Sequence, residues 1–259
     1  MPIPAILIVD LEINPASEGK EFPIFKLGAY RPDLNSGIER SFRSEQGFLK
    51  ALQEMAHLAD GAKWLMGHNI IEHDLVYLKK HAPHLSWNSL PVIDTLRLSP
   101  LAFPQNPYHR LIKNHKIISS EINSPLSDCQ ACWTLFQDQC TAFGKMKLER
   151  PEEFSVYETL FGPLPYLNVN SDDIVIANSV EPQRPKQLIH SIGQMLHDKG
   201  NIENKEHLKV CRTRFLRLRK HDIHDHTIHP SLAYALSWLS VSGGNSVLAP
   251  WVRQQFPDT

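Results

Sequence analysis

Asp10 and Glu12 stand two residues apart where a short apolar run, Ala5–Val9 (AILIV), is closed by acids. In an extended strand, side chains two apart leave the same side, so both carboxylates share one face. Acids at a strand end are common, and this pair alone says little. A third carboxylate, Asp74, stands where a polar turn, residues 67–74 (GHNIIEHD), runs into an apolar helical pattern. A fourth, Asp128, falls in the first turn of a later helix. Taken singly, Asp74 and Asp128 each read as a helix N-cap. Taken together, the four acids form a donor set for hard divalent cations, Mg2+ or Mn2+, which prefer carboxylate and water oxygens in octahedral geometry. Two such ions about 3.5–4 Å apart can clamp the attacking and leaving oxygens of a phosphodiester displacement. No sulfur or imidazole ligand is required.

The elements that must position these acids are legible from periodicity. Ala5–Val9 reads as a buried strand, and Pro23–Tyr30 and Gly37–Arg43 alternate as the next two strands of a meander. Phe48, Leu49, Leu52, Met55 and Leu58 recur at helical intervals. Trp64–Met66 reads as a short strand, Leu75–Lys80 as the start of a helix, and Pro91–Ile93 as a strand ending at Asp94. Ser124 is placed to N-cap a further helix with Pro125 at its first position, and its apolar face runs through Leu126, Ala131, Leu135 and Phe136. Three strands, a helix, a strand, a helix, a strand and a closing helix predict an α/β fold with a mixed sheet flanked by helices.

Residues 8–12 (IVDLE) resemble the first motif of DnaQ-like 3′–5′ exonucleases, the four-carboxylate (DEDD) class. Residues 67–78 (GHNIIEHDLVYL) are similar to the second motif, above all in the form found in proofreading domains of family B DNA polymerases. Residues 124–136 (SPLSDCQACWTLF) are similar to the third. Each motif alone is a weak match, but the three stand in order over roughly the first 140 residues. Residues 94–101 also resemble the stretch between the second and third motifs. The resemblance implies a ribonuclease-H-like domain over residues 1–145. It implies that Asp10, Glu12, Asp74 and Asp128 bind two Mg2+ or Mn2+ ions, and that nucleotides leave one at a time from a 3′ end as 5′-monophosphates. It also implies nucleic-acid contacts from Leu11, Asn69, Arg110 and Asn123.

One part of the pattern differs. The family places a general base before the last aspartate, either histidine five residues earlier or tyrosine four earlier; here those positions hold Asn123 and Ser124. Neither takes a proton from water near neutral pH, and a positioned base contributes ~10²–10⁴-fold. His109 and His115 lie in the segment before the last aspartate, and His73 stands beside Asp74. His109 ranks first as a substitute, because residues 107–111 (PYHRL) lie where the family faces its substrate. For each of them a solvated loop histidine is the plainer reading.

The rest of the chain sets bounds. With 259 residues, 42% hydrophobic and 21% charged, it has the composition of a folded protein with one large domain, or a medium one with a second piece attached. A net charge of −1 gives no overall attraction to nucleic acid, so any basic surface must be local. The apolar runs are too short to cross a bilayer, and the N-terminus lacks the pattern of a signal peptide. Cys129 and Cys132 form a C-x-x-C without a second pair at zinc-ribbon distance. They and Cys140 read as small apolar core residues in a reducing cytoplasm. Residues 146–259 read as a mostly α-helical region, helical chiefly from Pro185 to Leu239. Within it, five basic residues from Arg212 to Lys220 suit either a phosphate-holding or a solvated helix face, and His221, His224, His226 and His229 suit a polar loop better than a zinc site. Residues 238–253 (WLSVSGGNSVLAPWVR) resemble the junction before the helicase core in large bacterial RecQ-type helicases, which implies such a helicase as a partner in cis or trans.

Three functional readings result. The first is a single-stranded DNA exonuclease, the second an accessory module that grips a DNA 3′ end without cutting it, and the third an RNA-directed exoribonuclease sharing the same acids.

Overall fold

The apolar run predicted as the first strand continues past its acids. In the computed structural model, which describes residues 3–14, 22–103, 111, 124–151, 154, 158 and 163–177, β1 spans Ile6–Ile13 and carries Asp10 and Glu12 within it. Ile6, Leu7, Ile8, Val9 and Leu11 are all almost fully buried, as expected of a central strand covered on both faces. Its neighbours are β2 (Ile24–Arg31), β3 (Ser36–Ser41), β4 (Trp64–Gly67) and β5 (Val92–Asp94). They form a five-stranded sheet of order β3-β2-β1-β4-β5. The meander β1-β2-β3 is antiparallel, whereas β4 and β5 join in parallel on the other side of β1. The fold is therefore α/β with a mixed sheet flanked by helices.

The chain divides into two compact units, Met1–Leu96 with Arg110–Gln137, and Arg97–His109 with Asp138–Thr259. In the first, Leu7, Val9 and Leu11 of β1, Leu27 and Ala29 of β2, and Ile38 of β3 share a core with Phe48, Leu52, Met55 and Leu58. Those four lie on α1 (Glu45–Glu54), on α2 (Ala56–Ala59) and at the joint between them, where a single helix was expected. Ser44 caps α1, its side chain accepting from the amide of Gly47. Next come α3 (Asp74–His81) and α4 (Thr95–Ala102). The periodicity did not give α4: it is short and contains Pro100, and its start depends on the Asp94 carboxylate, which accepts from the amide of Leu96.

Arg31 ties the end of β2 to the end of α2. Its side chain is 3% exposed; Nε and Nη2 donate to the two oxygens of Asp33 at 2.8 Å each, and Nη1 donates to the carbonyls of Leu58 and Asp60. Removing it leaves one carboxylate and two carbonyls without their donor. Arg31→Met is expected to lower stability by about 2–4 kcal/mol in urea unfolding. Arg31→Lys should recover only part of that, because an ammonium lacks the planar fork; full recovery would contradict this account of the clamp.

In the second unit, the later turns of α5 (Pro125–Glu149) meet a hairpin of β6 (Tyr166–Asn168) and β7 (Asp173–Val175). A Cβ at Gly144 would come within 2.3 Å of the Leu167 carbonyl oxygen, so glycine permits this approach. Lys147 lies over the Tyr166 ring at 3.6 Å from its centroid. The hairpin falls where the sequence showed no sustained periodicity. Residues 178–259, with the expected helical region, the basic segment and the histidine cluster, lie outside the described residues. Among the described residues no helix is long and apolar enough to cross a membrane.

Candidate metal centre

Alternation along β1 decides where the acids point. Leu7, Val9 and Leu11 face the core shared with α1, so Asp10 and Glu12 face the opposite side of the sheet. Across the antiparallel meander, Asp10 is paired with Gly28 and Gly28 with Glu39, while Glu12 is paired with Lys26. Directly paired residues point the same way, so Asp10, Glu12, Lys26 and Glu39 share this face. Gly28 leaves a gap in the middle of it.

The first turn of α5 fills that gap. A Cβ at Gly28 would lie 2.3 Å from the Pro125 carbonyl carbon and 2.5 Å from the Leu126 amide nitrogen, and one at Gly37 would lie 2.5 Å from a Leu126 methyl. Two glycines thus let a helix start rest directly on the strands. Asp128, in that first turn, is thereby delivered to the β1 acids. One oxygen each from Asp10, Glu12 and Asp128 lie within 4.8 Å of one another, and all three residues are partly buried. This spacing suits a shared cation, and the donors are of one kind, hard carboxylate oxygens.

Asp74 stands beside this trio, with one of its two oxygens engaged by the backbone of β1. β4 ends at Gly67, with pairing to β1 reaching only Ile8↔Met66, so the amides of β1 beyond that point need another partner on this side. The Asp74 Oδ1 accepts from the Leu11 amide at 2.8 Å, and its side chain is buried. Asp74 therefore braces the strand between the two β1 acids. Next to it, His73 Nδ1 lies 3.6 Å from Asp74 Oδ1, with its side chain 43% exposed. That carboxylate raises the imidazole pKa; burial opposes the shift, and the charges of Asp74 and Glu12 add to it.

The other expected site residues divide clearly. Asn69 lies in the turn before α3 with φ of 68°, a left-handed conformation that asparagine tolerates, and its amide donates to Asp94 Oδ1 at 2.9 Å. Asp94 is buried and also accepts from the amides of Ile71 and Leu96, so it ties the turn to the start of α4. The Leu11 side chain is in the core on the face away from the acids, and what it offers the site is its amide. Ser124 is a cap, as expected: its hydroxyl donates to Glu39 at 2.6 Å and accepts from the Ser127 amide. Asn123, His109, Arg110 and His115 lie outside the described residues. Glu39, Lys26 and Gly28 were missed by sequence reading. The signal available was alternation in β2 and β3, which puts them on the acid face once the register is known.

Behind the acids, Cys129 and Cys132 are buried on α5, and Cys132 Sγ lies 3.4 Å from Thr95 Oγ1. Burial pushes the Cys129 thiol well up, and the charges of Asp10, Cys132, Asp74 and Asp128 push it further. Burial also raises Cys132, to about 12, against a lowering bond from Thr95, and it raises Cys140. These thiols stay protonated at neutral pH and act as small apolar residues. Native protein exposed to iodoacetamide at pH 8 is expected to leave all three unmodified, with alkylation by mass spectrometry appearing only on unfolding. Rapid alkylation of Cys129 in the folded state would contradict its burial.

Fold and site together define a mixed α/β protein in which the central strand and the first turn of α5 bring together three carboxylates spaced as in a metal-ion site. Comparison with family models, curated proteins and solved structures finds no match to this chain.

Proposed function

We propose that the chain is a metal-dependent 3′–5′ exonuclease acting on single-stranded DNA, with Mg2+ or Mn2+ held by Asp10, Glu12 and Asp128 and supported by Asp74. The observation that carries this reading is the convergence of those three carboxylates, from two elements distant in sequence, within 4.8 Å. The order and similarity of the three motifs around them support it. So does the sheet order β3-β2-β1-β4-β5, with an antiparallel meander on one side and parallel strands on the other, which suits a ribonuclease-H-like fold. A bound divalent ion supplies Lewis acidity, lowering the pKa of water and offsetting charge on the phosphate. The protein's part is to hold the acids in place: the Asp74 carboxylate fixes the β1 backbone at Leu11, and the docked first turn of α5 fixes Asp128. Water adds to the terminal phosphodiester, the bond to the neighbouring nucleotide's 3′-oxygen breaks, and a 5′-mononucleotide leaves. A cytoplasmic setting and a RecQ-type helicase partner, in cis or trans, fit the resemblance of residues 238–253.

A second reading rests on one further observation. Ser124, at one of the two positions where the resembled family carries its base, is committed to capping α5, and the other position holds Asn123. This favours a module that binds a DNA 3′ end and cuts slowly or not at all. The test is incubation of 5′-labelled single-stranded DNA, and its RNA counterpart, with the protein in Mg2+, Mn2+ or EDTA. A metal-dependent ladder shortening from the 3′ end of DNA is expected. A ladder on RNA alone would transfer the activity to exoribonuclease. Binding without cleavage in either metal would leave the accessory module.

A further inference from the structure

The acid face carries a fourth carboxylate, Glu39, that takes no part in the trio yet touches the helix that completes it. Its Oε2 accepts from the Ser124 hydroxyl at 2.6 Å and from the Leu126 amide at 3.2 Å. Its Oε1 meets the Lys26 ammonium at 2.8 Å. The Leu126 amide is one of the orphan donors every helix start carries, and here the acceptor comes from a strand 87 residues away in sequence. Ser124 relays the same contact inward, since its hydroxyl also accepts from the Ser127 amide. Glu39 is paired with Gly28, the residue on which Pro125 and Leu126 rest, and Gly28 is paired with Asp10. One cross-strand row therefore holds, in order, an acid of the trio, the seat of the helix and the clamp on that helix.

Resting on the proposed metal centre, we propose that Glu39 is a positioning residue: it sets Asp128 against Asp10 and Glu12 by clamping the first turn of α5 to the sheet. A salt bridge alone would not carry this, because exposed pairs contribute little, and Lys26 and Glu39 keep 20% and 28% of their side chains exposed. The two hydrogen bonds into the helix start do carry it, because they act on backbone and side chain two and four residues before Asp128. Burial raises the Glu39 carboxyl pKa, but the bonds from Lys26, Ser124 and Leu126 outweigh it and leave the pKa lowered, so the clamp is charged at neutral pH. Partners that orient metal-binding side chains typically contribute about 10–100-fold in metal affinity. Glu39 acts at that level, through Asp128.

The experiment compares native protein with Glu39→Ala and Glu39→Gln by Mn2+ titration, amide hydrogen exchange and the side-chain carboxyl 13C shift of Asp128. Glu39→Ala is expected to weaken Mn2+ binding about tenfold or more, to speed exchange at Leu126 and Ser127, and to move the Asp128 carboxyl signal. Exchange in β1 and β2 should stay unchanged. Glu39→Gln keeps an acceptor oxygen and should restore most of the Mn2+ affinity. Arg31→Met, which destabilises through Leu58 and Asp60, should leave Mn2+ affinity as it was and so separates positioning from stability. Unchanged exchange and an unmoved Asp128 signal in Glu39→Ala would overturn the proposal; should that variant not fold, the same null result in the double variant Glu39→Gln/Ser124→Ala, which loses both the charge and the Ser124 bond, would do so. If native protein binds no Mn2+, the metal centre fails, while the exchange and carboxyl signals still decide whether Glu39 positions Asp128.

Discussion

Replacing Asp128 by asparagine is expected to lower DNA hydrolysis by about 10²–10³-fold or more, the loss seen when one preorganised electrostatic group is removed from a reacting site. Mn2+ affinity should fall by at least about tenfold, since even indirect partners of a metal contribute that much. The same change should raise the stability of the metal-free protein. Three carboxylates within 4.8 Å repel one another. At that spacing each like-charged pair costs about 1 kcal/mol if the surroundings behave as water, and about 3 kcal/mol at the effective dielectric of a protein surface. Against this, an acid in the first turn of a helix gains only about 0.3–1 kcal/mol from the helix dipole. Repulsion outweighs the dipole, and asparagine keeps the shape of the side chain. In EDTA the variant should therefore melt above the native protein, and in excess Mn2+ the order should reverse, because only the native trio gains from binding. Thermal unfolding in the two conditions measures both signs. A variant that is destabilised in EDTA and equally active would mean that Asp128 is a cap and nothing more.

Gly28→Ala is expected to be the most damaging single methyl on the acid face. Gly28 has no open space: its added Cβ would sit 2.3 and 2.5 Å from backbone atoms of Pro125 and Leu126, which cannot rotate away as a side-chain tip would. The helix start must lift, and overpacking of this kind costs about 1–3 kcal/mol. The shift also moves Asp128, and a misplacement of about 1 Å in a catalytic constellation costs on the order of 10²-fold in rate. Urea unfolding and hydrolysis rate should therefore fall together. Glu39→Ala, by contrast, should lose metal affinity with little loss of stability. Native-like stability and activity in Gly28→Ala would mean that α5 does not rest on β2 as closely as described.

How much of this was legible in the sequence depends on what kind of signal each element carries. β1 was readable because a buried strand concentrates Ile, Leu and Val in a short run, β2 and β3 because apolar and polar residues alternate, and the start of α5 because Ser124-Pro125 is a strong cap. The end of β1 was misjudged because acids look like a terminus. Asp10 and Glu12 stay in the strand since β2 continues to pair with them, at Gly28 and Lys26. The bond that starts α4, from the Leu96 amide to Asp94, is local, but the bonds of the same carboxylate to the amides of Asn69 and Ile71 are tertiary contacts that no local pattern encodes. Three acids of the site could be found from motif spacing. Gly28 and Glu39 could not, because their part in the site is a consequence of strand register, and register is a long-range property. The bond from the Leu11 amide to Asp74 follows from β4 stopping short of Leu11, which is equally invisible along the chain.

The measurement that tests the central claim most directly is digestion of a 5′-labelled single-stranded DNA in Mn2+ by native protein, Asp10→Ala and Asp74→Ala, purified side by side. A ladder receding from the 3′ end with native protein, lost with Asp10→Ala and reduced with Asp74→Ala, is the result this account predicts. A ladder of equal strength in all three would show that these carboxylates do not carry the activity. No cleavage by native protein, with DNA binding retained, would contradict the exonuclease and turn the centre into a grip for DNA ends.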